Sequence, residues 1–172
     1  DTEPMVPLKP ADVAVALQLW LTPDAPYRAL AEAVGISHGE AHNAVQRLQA
    51  ARLLRAGSRS VKAEALLEFL FGGVPYAFAA TPGAKVRGVP TAHAAPPLSV
   101  DFTGADAYVW PSAEGRVRGE TLEPLYAGAV HTVIRNPALY ELLALVDALR
   151  AGRARERQRA REHLRQRLGA AA

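Results

Sequence analysis

The sequence predicts a mainly α-helical chain with a short β element, and three observations carry that expectation. Residues 27–54 hold two helical patterns separated by the tight turn Gly35-Ile36-Ser37. Apolar side chains recur at three- and four-residue steps over residues 13–21 and 139–149, the spacing of one helix face. Runs that suit strands are short and lie at 53–61 and within 74–137, a segment holding eight of the thirteen prolines.

Residues 1–9 include Pro4 and Pro7 and are expected as an extended arm. After Pro10, Val13, Ala16, Leu17, Trp20 and Leu21 fall at i, i+3, i+4, i+7 and i+8, which predicts a supporting helix with a core stripe. The prolines of Thr22-Pro23-Asp24-Ala25-Pro26 end it, because proline has no N–H to continue the ladder. Pro26 suits the start of the next helix and Gly35 its left-handed end. Ser37 and Glu40 then have the S-x-x-E spacing of a capping box, in which each side chain takes up a backbone N–H at the helix start. Ala41, Ala44, Val45 and Leu48 form the apolar face of this second helix. Its polar face carries His38, His42, Asn43, Gln46 and Arg47, donors and acceptors of the kind that read base edges.

Three features are shared with a known family: Leu30, Ala31, Gly35, Ile36 and Ser37 in the pattern L-A-x-x-x-G-I-S, Val45 and Leu48 as V-x-x-L, and the closing Ala51-Arg52-Leu53-Leu54. Over residues 10–62 the chain resembles the winged helix-turn-helix domains of bacterial transcriptional regulators, most closely the MarR-like kind. The resemblance implies a wing with a strand at Leu53-Leu54-Arg55, a turn at 56–60 and a return at Val61. It also implies a recognition helix in the major groove, with Ser37, His38 and Gly39 near the sugar-phosphate edge and His42, Asn43, Gln46 and Arg47 on bases. Arg52, Arg55, Arg59 and Lys62 would hold phosphates; between residues 37 and 62 only Glu40 opposes this basic cluster.

A further helix is expected over Ala63 to Phe71, too apolar for a single buried face, and Gly72-Gly73 closes it. Within 74–137 two hairpins are expected. One pairs Tyr76-Ala77-Phe78 with Val86-Arg87 around Thr81-Pro82-Gly83; the other pairs Tyr108-Val109-Trp110 with Arg116-Val117-Arg118 around residues 111–115. MarR-like proteins have no such insert, so the resemblance ends before it. Asn136-Pro137 is a helix start, and Leu139, Leu142, Leu143, Val146 and Leu149 give the stripe that follows. Gly152 is expected to bend this helix, and an arginine-rich continuation keeps a thin seam of Ala160, Leu164 and Leu168. The expected organisation is therefore a winged helix-turn-helix at 1–72, a Pro-rich loop and hairpin region at 73–137 and a helical, Arg-rich segment at 138–172. In fold-class terms it is mainly α with a short β wing, followed by a loop-rich α+β region ending in a long basic helix.

With 172 residues and 49% hydrophobic side chains the chain can bury a core. It has no cysteine, which removes disulfides and thiolate metal sites, and no apolar run approaches a membrane span. A soluble, cytoplasmic, nucleoid-associated protein is expected. The net charge of +3 hides an uneven distribution: 7 basic and 8 acidic residues in 1–70, 5 and 5 in 71–137, and 8 and 4 in 138–172.

Catalytic readings are weak. Gly35-Ile36-Ser37-His38-Gly39 matches G-x-S-x-G, but that motif needs a strand before the serine, and here a helix precedes it. His38 and His42 lie four apart, yet the glutamate of His-Gly-Glu-Ala-His sits at the third position, unlike the H-E-x-x-H zinc motif. His93 is expected to brace a loop, and no metal, cofactor or catalytic constellation is expected. The expected function is sequence-specific binding of double-stranded DNA by a transcriptional regulator, a repressor acting as a homodimer, with residues 63–71 and 138–150 as dimer interface. The competing expectation is an antitoxin-like or adaptor protein that binds a partner protein through its C-terminal region.

Overall fold

The computed structural model describes residues 7–169; most of the arm expected at 1–9 lies outside them. The architecture is α+β and mainly helical. Helix α1 (Pro10–Leu21) is buried along nearly its whole length, with Asp12 through Leu19 all inside, so the expected single stripe widens to the full circumference. Helices α2 (Tyr27–Val34) and α3 (His38–Ala50) follow, joined by Gly35, whose φ of 84° is the left-handed conformation that glycine adopts without strain. The capping box forms as the spacing requires: Glu40 N–H donates to Ser37 Oγ at 3.1 Å, and Ser37 N–H to Glu40 Oε1 at 3.4 Å.

After α3 the chain makes one isolated antiparallel bridge, Leu54 with Val61, and enters α4 (Ala63–Gly72). Leu66 and Leu70 of α4 are buried, and the helix packs against helices further along the chain, α7 (Pro137–Ala151) and α8 (Ala154–Leu168). Helix α7 is the centre of the molecule. Ten of the eleven residues from Leu139 to Leu149, all but half-buried Glu141, are buried against α1, α4, α8 and the sheet of the middle segment. The expectation that 138–150 supplies a dimer interface is corrected by this burial, since its apolar stripe is consumed within one chain. Asn136 caps α7 by accepting from Leu139 N–H at 3.3 Å, and its amide reaches Gln18 Oε1 at 2.8 Å and the Ala33 carbonyl at 2.9 Å.

Gly152 does more than bend a helix. Its backbone is extended (φ −72°, ψ 160°), and α8 folds back along α7, bringing Arg167 to Glu141 at 3.2 Å. The seam of Ala160, Leu164 and Leu168 is fully buried in this helical hairpin. Trp20 Nε1 of α1 donates to the Arg167 carbonyl at 3.0 Å, tying the first helix to the last. One apolar core runs from Val13 to Leu168, so the boundaries drawn at 72 and 137 mark changes of composition within a shared interior.

The two expected hairpins are replaced. Tyr76-Ala77-Phe78 does not pair with Val86-Arg87; residues Val74–Ala77 form a helical turn, α5, with Pro75 in its first turn, where a missing N–H costs nothing. The sheet comprises β1 (Lys85–Thr91), β2 (Tyr108–Pro111) and β3 (Val117–Thr121). β2 and β3 run parallel, and both are antiparallel to β1: β3 to its first half (Arg87 opposite Arg118) and β2 to its second (Thr91 opposite Tyr108). The link at 112–116 carries the chain across to the other edge of β1, where Gly88 and Gly115 meet backbone to backbone with no room for a Cβ. The strands curl until Tyr108 lies beside Glu120, closing a very small barrel.

A buried polar hub fastens this barrel to α7. The Asp147 carboxylate accepts from Thr91 Oγ1 at 2.6 Å, Trp110 Nε1 at 2.7 Å and Arg150 Nη1 at 2.7 Å. Burial pushes its pKa up, against the pull of the Arg150 charge and of these hydrogen bonds. Arg150 in turn donates to the Phe78 and Glu123 carbonyls, so one ion pair ties two loops to α7. Among the described residues no helix is long and apolar enough to cross a membrane.

Candidate nucleic-acid interface

Helix α3 presents two unlike faces because its sequence alternates at helical spacing. Ala41, Ala44, Val45 and Leu48 are buried against α1 and α2, and the alanines allow close helix approach. His38, Gly39, His42, Asn43, Gln46 and Gln49 are exposed and form one outward strip, flanked by exposed Ser37. No other part of the described chain covers that strip.

The residues expected to work together are only partly brought together. Arg47, assigned to a base, is turned inward: its Nε donates to Asp12 Oδ2 at 2.7 Å and its Nη2 to Asp12 Oδ1 at 2.9 Å. The hydrogen bond to Asp12 raises the Arg47 pKa, burial working against it. Asp12 is 1% exposed and Arg47 13%, so this bidentate pair is internal and Arg47 has no guanidinium to offer a base. Arg59, assigned to phosphate, is also engaged. Its Nε and Nη2 donate to the Ala25 and Asp24 carbonyls at 3.0 and 3.1 Å, its backbone N–H to Asp24 Oδ1 at 2.8 Å, and its guanidinium lies 4.8 Å from the Tyr27 ring centre. The tip of the 53–62 connection is thereby folded back onto the loop before α2. The opposite edge of the same packing is supplied by His42, whose ring stands at 82° to Tyr27 with centres 4.9 Å apart, and by His38 at 6.0 Å.

Arg52, Arg55 and Lys62 remain exposed, and their side chains make no hydrogen bond or ion pair among the described residues. Arg52 closes α3 with φ of 64°, left-handed for a residue with a Cβ. Gln49 Nε2 donates to the Ser58 carbonyl at 3.4 Å, a contact that joins α3 to the 53–62 connection.

Two cations that the sequence did not single out sit beside the α3 start. Arg28 and Arg135 line one shallow depression with Glu32, Ile36 and His38. Arg135 comes from α6 (Thr132–Arg135), a short helix after a 3-10 turn at Ala127–His131. That segment is pressed against the α2–α3 turn: Tyr126 Oη donates to the Val34 carbonyl at 2.7 Å, and a Cβ on Gly128 would stand 2.5 Å from the Gly35 oxygen. The signal that could have found Arg135 is spatial, one hundred residues from the turn it flanks.

His93 braces a loop, as its surroundings indicate. It is buried, its Nε2 lies 2.6 Å from the Asp106 carbonyl and its Nδ1 3.6 Å from Glu156 Oε1, with Tyr108 edge-on at 4.7 Å. Among the described residues no three His, Asp or Glu side chains cluster in a way that could hold a metal ion. The chain matches no protein family, no characterised protein and no solved structure.

Proposed function

We propose that the protein is a sequence-specific DNA-binding transcriptional regulator, with α3 entering the major groove and acting as a homodimer on a near-palindromic site. The observation that carries this reading is the uncovered strip of His38, Gly39, His42, Asn43 and Gln46 on a helix whose other side is fully packed. Asn43 and Gln46 are the side chains suited to bidentate recognition of adenine, and with Arg47 withdrawn they carry most of the discrimination. Exposed Arg52, Arg55 and Lys62 supply phosphate contacts. The likeness of residues 10–62 to MarR-like winged helices supports the same reading; the mode of action we propose is repression, by occupancy of a promoter in the cytoplasm. With α7 buried inside the chain, the two-fold contact has to use another surface.

The test is selection of the full chain on a random duplex library, with sedimentation of the complex to count chains. A recurrent two-fold motif bound by two copies is expected, lost in Asn43→Ala/Gln46→Ala with about 1–3 kcal/mol per recognised base. Absence of any enriched motif, or an unchanged motif in that variant, sinks the assignment. A partner-binding adaptor is favoured by one feature: a groove of about 940 Å³ walled by Val89, Pro90, Val117, Val130 and Val133, with Ile134 88% exposed at its lip. Its test is stable co-purification of one protein through an Ile134-dependent contact.

A further inference from the structure

The small barrel turns an unusual face outward. Along β1 and β3 the side chains alternate, so Lys85 and Arg87 share the outer face with Arg118, while Gly88 and Gly119 are buried. The register sets Arg87 directly opposite Arg118. Like charges in that position destabilise a sheet. Arg116, exposed just before β3, adds a fourth cation. Among the described residues none of these four side chains makes an ion pair or a hydrogen bond, although Glu120 stands opposite Lys85.

The face is connected to the α3 start. Arg116 lines the groove whose far wall is His131, Ile134 and Arg135, and Arg135 also lines the depression shared by Arg28 and His38. A track of cations therefore runs from the outward strip of α3, through Arg28 and Arg135, to Arg116, Arg118 and Arg87. Glu32 and Glu114 lie along its edges. A paired acidic protein surface would satisfy isolated cations. A line of cations that repel one another across a ladder, and that continues from a candidate base-reading helix, fits the evenly spaced charge of a phosphodiester backbone better.

We infer that the outer face of β1 and β3 is a second phosphate-binding strip, which extends the DNA contact of α3 along the duplex backbone. The inference rests on the DNA-binding reading of α3, and the two are separable by experiment. Full-length protein is titrated with a fluorescein-labelled random-sequence duplex at several salt concentrations, with poly-glutamate as competitor. Arg87→Gln/Arg116→Gln/Arg118→Gln is expected to lower the slope of log affinity on log salt by about two to three, since each phosphate contact contributes about 0.9. The loss is the same for every DNA sequence. Asn43→Ala/Gln46→Ala leaves that slope unchanged and removes only the preference for the selected motif. Because all three arginines are exposed, the triple variant folds; the single variant Arg118→Gln is expected to raise Tm by about 1–3 °C as the repulsion is relieved. An unchanged slope in the triple variant, while the wild type binds, overturns the strip and leaves α3 untouched. Loss of binding in the triple variant together with an inert Asn43/Gln46 variant upholds the strip and removes α3 as reader. Competition by poly-glutamate equal to that by DNA, or no duplex binding by the wild type, overturns the inference.

Discussion

Helix α8 and the β1–β3 face both carry several arginines, and most of those on α8 are partnered while those on the sheet are not. On α8 four of six arginines are answered: Arg159 by Asp101 at 3.0 Å and Glu162 at 2.7 Å, Arg167 by Glu141, Arg157 by the Gly152 carbonyl and Arg165 by the Phe71 ring, which leaves Arg155 and Arg161. On the sheet face Arg87 and Arg118 stand opposite each other, and neither side chain has an ion-pair or hydrogen-bond partner among the described residues. The difference arises from packing. α8 lies in a helical hairpin and against the loop at 98–101, which bring acceptors to it, whereas Arg87, Arg116 and Arg118 are exposed. Charge counted along the chain ranks α8 first; charge left without a partner ranks the sheet first.

The comparison is sharpened most strongly where answered charges are buried. Asp147→Ala strands Arg150, Thr91 and the Trp110 N–H, and should destabilise the fold by about 3–5 kcal/mol in urea denaturation. A smaller loss would mean that water replaces the carboxylate. Asp12→Ala releases Arg47 and should cost about 3 kcal/mol, recovered largely by adding Arg47→Met. Wild-type stability in Asp12→Ala would return Arg47 to the pool of free cations.

At the surface the two regions should separate by sign. Arg159→Ala, in an exposed pair, is expected to leave Tm unchanged, whereas Arg118→Thr should stabilise by about 0.5 kcal/mol. Equal effects at both sites would erase the contrast. The smallest effect is at His163, whose pKa is lowered from 6.5 by burial first and then by Arg159 and Arg167. Its neutral form is favoured in the folded chain, so its contribution is present above pH 6.5 and is lost as pH falls toward the lowered value. His163→Gln should therefore flatten the fall of Tm as pH drops below 6.5.

Local signals were readable from the chain, and long-range ones were not. The Ser37–Glu40 box and the Asn136 cap depend on residues three apart, so spacing alone sufficed. The outward strip of α3 followed from its period. Arg47 was misread because its partner is Asp12, thirty-five positions earlier, on a helix whose stripe gave no reason to expect a buried carboxylate. Arg59 was misread because the 53–62 connection folds onto residues 24–27 instead of reaching out. Hairpin pairing of 108–110 with 116–118 was the shortest solution, but the backbone contact of Gly88 with Gly115 permits a crossing that a sequence of ordinary side chains would forbid. The arginine pair opposite each other on the sheet becomes visible only once that register is known.

The contact of Gly128 with Gly35 carries a mechanical consequence. With two backbones touching and the Tyr126 hydroxyl pinning Val34, the turn before α3 has no slack against the segment that leads to Arg135 and α7. The α3 start and the barrel are thus mounted on one frame at fixed separation. A duplex bound as proposed would have to match that spacing, like a key against a fixed ward, and a single methyl at position 128 would force the Gly35 backbone or the Tyr126 ring to shift.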